Sequence, residues 1–204
     1  IPKYELCATG IIENKKILKN NTAQCGDVII LTKPIGSGII TTALKKEIIS
    51  SKDALEAILC MKTLNNIAQS TFKNFNITSC TDITGYGLLG HLNEMCSASC
   101  VSAQIHFDQV PIMENVLSLA KKNIIPGGTK KNFNYVKDNV KFSTSIDEVQ
   151  KIILADAQTS GGLLFSCRKE DSQEILKDIN NASHFKSKII GHFIKSQDKN
   201  IICN

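Results

Sequence analysis

The chain has 204 residues, with 24 Lys and Arg against 19 Asp and Glu, a formal net charge of +5, 42% hydrophobic and 5% aromatic residues, and no Trp. This is ordinary globular composition, which excludes a disordered tail, a collagen-like fibre and a coiled coil, and the length allows a core without disulfide staples. The basic excess is no nucleic-acid footprint: Arg168 is the sole arginine, and the lysines stand in ones and twos among acids, not as a stripe interleaved with aromatics.

No apolar run reaches the roughly 18 residues of a membrane helix, and the N-terminus lacks a signal-peptide layout. Ile1-Pro2-Lys3-Tyr4 reads as the middle of a longer chain. The cysteines at 7, 25, 60, 80, 96, 100, 167 and 203 show no paired spacing and no Cys-x-x-Cys, so reduced and mostly buried thiols of a cytoplasmic protein are expected. Cys96 and Cys100 lie four apart on a predicted helix, but no further pair completes a zinc set.

In chain order, residues 6–12, a turn at Glu13-Asn14 and residues 16–18 read as a strand and its return. Residues 27–33 form a β-branched run ended by Pro34, whose continuous apolarity suits a strand covered on both faces. Gly36-Ser37-Gly38 breaks the chain before a predicted helix over 39–49. From 53 to 75 the apolar residues Ala54, Ile58, Met61, Leu64, Ala68, Phe72 and Phe75 recur at helical spacing, which predicts one helix, with Asp53 and Glu56 as a capping box. Helix is expected over 88–96, strand over 101–107 and helix over 112–122. Pro126-Gly127-Gly128 opens a polar loop reaching about residue 139. Residues 149–154 are ambiguous, 163–167 a strand, 170–179 a helix and 187–194 a closing strand. Alternating strands and helices with hairpins at both ends predict one α+β domain, a mixed sheet with packed helices.

Three segments share one design, a short apolar run leading through a glycine turn into a helix: Lys33-Pro34-Ile35-Gly36-Ser37-Gly38, residues 81–91 around Thr84, Gly85 and Gly87, and Gln158-Thr159-Ser160-Gly161-Gly162. Glycine lets backbone approach a ligand, and a helix start offers N–H groups to a phosphate, while tight turns alone are the plainer use. In the middle segment Asp82 adds a hard oxygen ligand, as Mg²⁺ requires when it bridges a nucleotide to protein; an N-capping Asp is the alternative. Neither a Walker spacing nor a strand-bound Gly-x-Gly-x-x-Gly with a downstream acid occurs. His91 follows these glycines and can cap, pack or transfer a proton.

Thr81-Asp82-Ile83-Thr84-Gly85-Tyr86-Gly87-Leu88-Leu89-Gly90-His91-Leu92, residues 28–34 with Gly36 and Gly38, Pro126-Gly127-Gly128-Thr129-Lys130-Lys131-Asn132-Phe133, and Asp156-Ala157-Gln158-Thr159-Ser160-Gly161-Gly162-Leu163-Leu164 together resemble the selenophosphate synthetase (selenide, water dikinase) family. The glycine turn and the Thr-Ser-Gly-Gly segment are shared more loosely with aminoimidazole ribonucleotide synthetase and its relatives.

The resemblance implies the C-terminal half of an enzyme that makes selenophosphate, AMP and phosphate from ATP, selenide and water. It implies Mg²⁺ and ATP as cofactors, with Asp82 as metal ligand and Thr84, Gly85, Gly87, Thr129, Asn132, Thr159, Ser160 and Gly161 at the nucleotide. The reactive Cys or selenocysteine, a nearby Lys and most metal ligands are expected in an N-terminal half outside these 204 residues, through which the enzyme is a homodimer. Ala157 stands where the family usually has Pro, and Tyr86 where Phe is usual. A non-catalytic interaction module, or another ATP-dependent enzyme of the wider group, is the alternative.

Overall fold

The computed structural model describes residue 7, residues 9–14 and residues 17–204. Its strands are β1 (Val28–Leu31), β2 (Ile77–Asp82), β3 (Val101–Ile105), β4 (Val140–Phe142), β5 (Leu163–Cys167), β6 (Lys188–Lys195) and β7 (Ile201–Cys203). The helices are α1 (Ser37–Lys45), α2 (Leu55–Lys62), α3 (Ile67–Asn74), α4 (Gly87–Ser99), α5 (Val116–Lys121), α6 (Gly127–Val136), α7 (Glu148–Leu154) and α8 (Ser172–Ala182). The strands form one sheet in the order β2-β5-β1-β6-β3-β7-β4. Pairs among β2, β5, β1, β6 and β3 are antiparallel, whereas β7 runs parallel to both β3 and β4, so the sheet is mixed and the α+β expectation holds.

Successive strand residues point to opposite faces, and β1 shows the consequence. Ile29 and Leu31 enter a large core with Ile39, Leu88, Leu92, Leu154 and Phe193, while Ile30 joins Phe165, Ile175 and Ile179 on the other side. There α8 supplies Ile175 and Ile179, and Phe72 of α3 meets the Phe165 ring edge-on at 4.9 Å. The strand expected to be covered on both faces is therefore so covered.

Several boundaries differ from the sequence reading. The helix expected over 53–75 is two, broken at 63–66, where Thr63 is extended. The Cys60 and Thr63 carbonyls, which would accept from residues 64 and 67 in a continuous helix, accept from Lys33 Nζ instead, and Leu64 of the expected apolar stripe is 71% exposed. Asp53 makes no capping box with Glu56: it accepts from Ser50, and Glu56 accepts from the Glu114 N–H. A capping box does exist on α7, between Asp147 and Gln150, and it resolves the ambiguous segment 149–154 as helix.

The polar loop expected from 126 to 139 is α6 followed by a 3₁₀ turn at Lys137–Asn139. Its inner face, Thr129, Asn132, Phe133 and Val136, has helical spacing, but two of the four residues are polar and have their partners elsewhere in the fold. Strands β4 and β7 have three residues each, too few to show a period in the sequence. The expected hairpin over 6–18 lies partly outside the described residues; residues 7, 9–14 and 17–18 contain no strand.

At Gly191 in β6, between β1 and β3, a Cβ would lie 2.0 Å from the Gln104 carbonyl oxygen. Only backbone blocks the space, so the sheet itself would have to shift. Gly191→Ala is expected to cost about 3 kcal/mol, the upper range of overpacking, measured as a lowered urea midpoint; an unchanged midpoint would show that β3 and β6 part easily.

Candidate functional site

All four motif segments meet around Asp156, which follows Ala155, the C-cap of α7, and is 0% exposed. Its Oδ2 accepts from the Gly38 and Ile39 N–H groups at 3.0 and 3.2 Å and from Gln158 Nε2 at 3.1 Å. Its Oδ1 accepts from Thr129 Oγ1 at 2.7 Å. Gln158 completes the arrangement, its Oε1 accepting from Gly36 N, Ser37 N and Ser37 Oγ. The first turn of α1 is thus filled by two side chains from the segment leading into β5, the strand next to β1, and the phosphate reading of Gly36-Ser37-Gly38 is corrected: those N–H groups are already spent. Burial pushes the Asp156 carboxyl up to about 6, against the pull of its hydrogen bonds from Thr129, Ile39, Gln158 and Gly38.

The second turn rises from the C-terminal end of β2, an edge strand whose Asp82 pairs with Leu163. Asp82 is exposed, and its carboxylate accepts no hydrogen bond from the described residues. The Thr84 carbonyl accepts from Gly87 N and Gln158 N, both at 3.0 Å, and the Gly85 carbonyl accepts from Asn132 Nδ2 at 2.7 Å. Asn132 also donates to the Ala155 carbonyl. Gly87 has φ +71, and a Cβ there would meet the Ala155 and Asp156 carbonyl oxygens at 2.7 Å, so only glycine lets this turn press against the backbone that follows α7.

His91 holds the same turn from below. Its Nε2 faces the Thr84 N–H at 3.1 Å, and because a backbone N–H only donates, Nε2 carries the lone pair and the proton sits on Nδ1, 4.0 Å from Glu94 Oε2. Of the roles open to it, the geometry selects capping of the turn. Burial lowers its pKa, with Asp82 and Glu94 pulling the other way. A lowered folded value means the unfolded chain takes up the proton first, so this bond's contribution is present above about pH 6.5 and is lost as pH falls below it. Between pH 7.5 and 5.5 the urea midpoint of the wild type is expected to fall further than that of His91→Gln; equal falls would remove His91 from the turn's support.

Lys33, at the end of β1, is 4% exposed. Its Nζ donates to the carbonyls of Cys60 at 3.2 Å, Thr63 at 2.6 Å and Ser160 at 3.2 Å. Burial lowers its pKa, the neighbouring Cys60 opposing. Ser160, a non-glycine residue at φ +49, is the tip of the third turn; beside it the Gly161 carbonyl accepts from Asn65 Nδ2 at 3.0 Å.

Of the residues the sequence singled out, Asp82, Gly85, Thr159 and Ser160 are exposed, and Thr84 and Asn132 half-buried. Gly87, Thr129 and Gly161 are buried supports of the turns. The second and third turns adjoin, since Ile83 N donates to the Gly162 carbonyl and a Cβ on Gly161 would meet the Ile83 oxygen at 2.4 Å. Ala157 donates its N–H to Thr129 Oγ1 at 3.3 Å, a bond proline could not make, and Tyr86 is 64% exposed, so water reaches its hydroxyl. Capping by His91 is among the roles its sequence position offers; the supporting roles of Asp156, Gln158 and Lys33 are not legible there, and the signal available is that Asp156 and Gln158 stand immediately before the glycine turn.

Cys96 is buried and Cys100 exposed, so the two share no ligand face, and among the described residues no cluster of three His, Cys, Asp or Glu could hold a metal. One carboxylate still suits Mg²⁺, which is commonly held by one or two carboxylates together with substrate phosphates and waters. All eight cysteines are free; burial pushes Cys60 up to about 11 and Cys80, Cys96, Cys167 and Cys203 up to about 12. Among the described residues no helix is long and apolar enough to cross a membrane.

The family model for the AIR synthase related protein, C-terminal domain, matches residues 24–204. The chain is 38% identical over 201 residues to the selenide, water dikinase of Aliarcobacter butzleri and 42% identical over 200 residues to that of Clostridioides difficile. Each match covers 98% of this chain but 58% of the relative's length. Among solved structures, the thiamine-monophosphate kinase of Stenotrophomonas maltophilia aligns with a TM-score of 0.64 at 14% identity, covering 95% of this chain and 54% of that one. The hydrogenase maturation protein HypE in complex with ATP aligns with a TM-score of 0.64 at 15% identity, covering 94% of this chain and 51% of that one. At such identities the likeness is one of fold.

Proposed function

From the premise that the chain belongs to the AIR synthase related C-terminal domain family, we propose that it is the C-terminal domain of a selenide, water dikinase. The complete enzyme makes selenophosphate, AMP and phosphate from ATP, selenide and water, and is a cytoplasmic homodimer joined through an N-terminal domain that carries the reactive residue and most metal ligands. The observation that carries this reading is the exposed Asp82 carboxylate, without a hydrogen-bond partner among the described residues, beside the open backbone of Gly85 and the exposed Thr159-Ser160 turn, all braced from within by Asp156 and Gln158.

Phosphoryl transfer is governed by positioning and charge neutralisation more than by covalent help from protein. The chain's part is therefore to hold two rigid turns, with Asp82 as one ligand of Mg²⁺ and Gly85, Thr159 and Ser160 against the nucleotide. Gly85 tolerates such approach because a Cβ there would meet nothing within 4 Å on the protein side. Bound Mg²⁺ neutralises phosphate oxygens. Thr84, Gly87, Thr129, Asn132 and Gly161 shape the turns that face ATP. Free thiols throughout agree with a reducing compartment.

The test is phosphorus NMR of the full-length protein carrying this chain, supplied with ATP, Mg²⁺ and selenide. Selenide-dependent selenophosphate with AMP is expected. ADP as the sole nucleotide product, regardless of selenide, would place the protein with single-phosphoryl kinases instead.

A further inference from the structure

Lys33 is a buried ammonium with no carboxylate within ion-pair distance among the described residues; its three protons go to three carbonyls. Two of these lie at the C-terminal end of α2, where the helix dipole is negative. Burying an ammonium is costly unless its protons are all satisfied, and here three carbonyls satisfy them. What the ammonium supplies and a methyl group does not is direction: it draws the Ser160 carbonyl inward, and Asn65 draws the Gly161 carbonyl inward beside it.

A trans peptide places its C=O and N–H on opposite sides. With the carbonyls of Ser160 and Gly161 turned toward the α2–α3 joint, the N–H groups of Gly161 and Gly162 are turned away from it. Neither donates to an acceptor among the described residues. Two successive backbone N–H groups of this kind form an anion-binding concavity. Gly162 packs closely against the end of β1 beside Lys33, where a Cβ would meet Lys33 N at 2.6 Å and Thr32 Oγ1 at 2.8 Å.

Resting on the nucleotide reading above, we propose that Lys33 and Asn65 are positioning residues, which orient the Ser160-Gly161-Gly162 peptides so that two N–H groups bind a phosphate of the nucleotide. Neither side chain touches the ligand. The α2–α3 break is then part of the site, because a continuous helix would keep the Cys60 and Thr63 carbonyls from Lys33.

The experiment measures the ATP dissociation constant, the split between KM for ATP and kcat, and the Gly161 and Gly162 amide NMR signals, in the full-length protein and in Lys33→Met and Asn65→Ala. Lys33→Met keeps the stem and removes the tether; it strands three carbonyls and is expected to melt below the wild type, to weaken ATP binding about 10-fold in the folded protein, and to leave both glycine amides unmoved by ATP. Asn65→Ala should act in the same direction to a smaller extent, and it decides the matter if Lys33→Met does not fold. Unchanged ATP affinity in a folded variant, with wild type that binds, overturns the roles of Lys33 and Asn65 alone. Wild type that binds no ATP overturns the nucleotide reading and this proposal together.

Discussion

Asp156→Ala is expected to lower stability by about 4 kcal/mol, read as a fall in the urea midpoint. The side chain is fully buried, and its loss strands the Gly38 and Ile39 N–H groups, Gln158 Nε2 and Thr129 Oγ1 together. Each abandoned buried donor costs roughly 1 to 3 kcal/mol, reduced where Gln158 or a water can follow into the gap. Asp156→Asn separates hydrogen bonding from charge. Its oxygen still serves Gly38, Ile39 and Gln158, and its amide meets a Thr129 hydroxyl free to turn and accept, so the loss should be much smaller. The pH dependence carries a sign. With the folded carboxyl near 6 and an ordinary value near 3.8, the native state holds a proton that the unfolded chain has released, so the wild type loses stability relative to Asn as pH rises from about 4 to about 6. An alanine variant as stable as the asparagine one would mean that Asp156 does not hold the turns together.

That hub marks the limit of what the sequence displays. Local pattern is enough for β1, whose unbroken apolar run requires cover on both faces, and for α4, where Leu88, Leu92, Met95 and Cys96 keep a buried face. It fails where the deciding partner is distant in sequence. The break between α2 and α3 comes from Lys33, 30 residues before Thr63 and separated from it by α1 and α2, while the apolar spacing runs on through Leu64 as though nothing intervened. The helicity of α6 is hidden because Thr129 and Asn132 face inward to satisfy Asp156 and the Gly85 carbonyl, giving the inner face the polarity of a loop. The candidate site is legible as motifs, since glycine turns and Asp82 announce close backbone approach and a hard ligand. Which N–H groups remain open is not legible: those of α1 are taken by Asp156, 118 residues away in sequence from Gly38.

Asp82→Asn in the full-length protein is expected to leave the melting temperature nearly unchanged and to reduce Mg²⁺-supported AMP formation at least about 100-fold, because loss of groups behind a metal ligand already costs 10 to 100-fold and the ligand itself should cost no less. The stability half follows from position: Asp82 is exposed at the end of an edge strand and its carboxylate accepts no hydrogen bond from the described residues, so removal strands nothing. The activity half follows from charge, since asparagine keeps the shape and one oxygen but not the anion that competes with water for Mg²⁺. An independent reporter lies beneath the turn. The Asp82 charge raises the His91 pKa against the lowering by burial, so Asp82→Asn should move the His91 imidazole titration further down, seen by NMR without any turnover. Should the melting temperature collapse, Asp82 supports the turn through its own folding; should Mg²⁺ dependence persist unchanged while the His91 titration shifts, the carboxylate faces the turn but holds no metal.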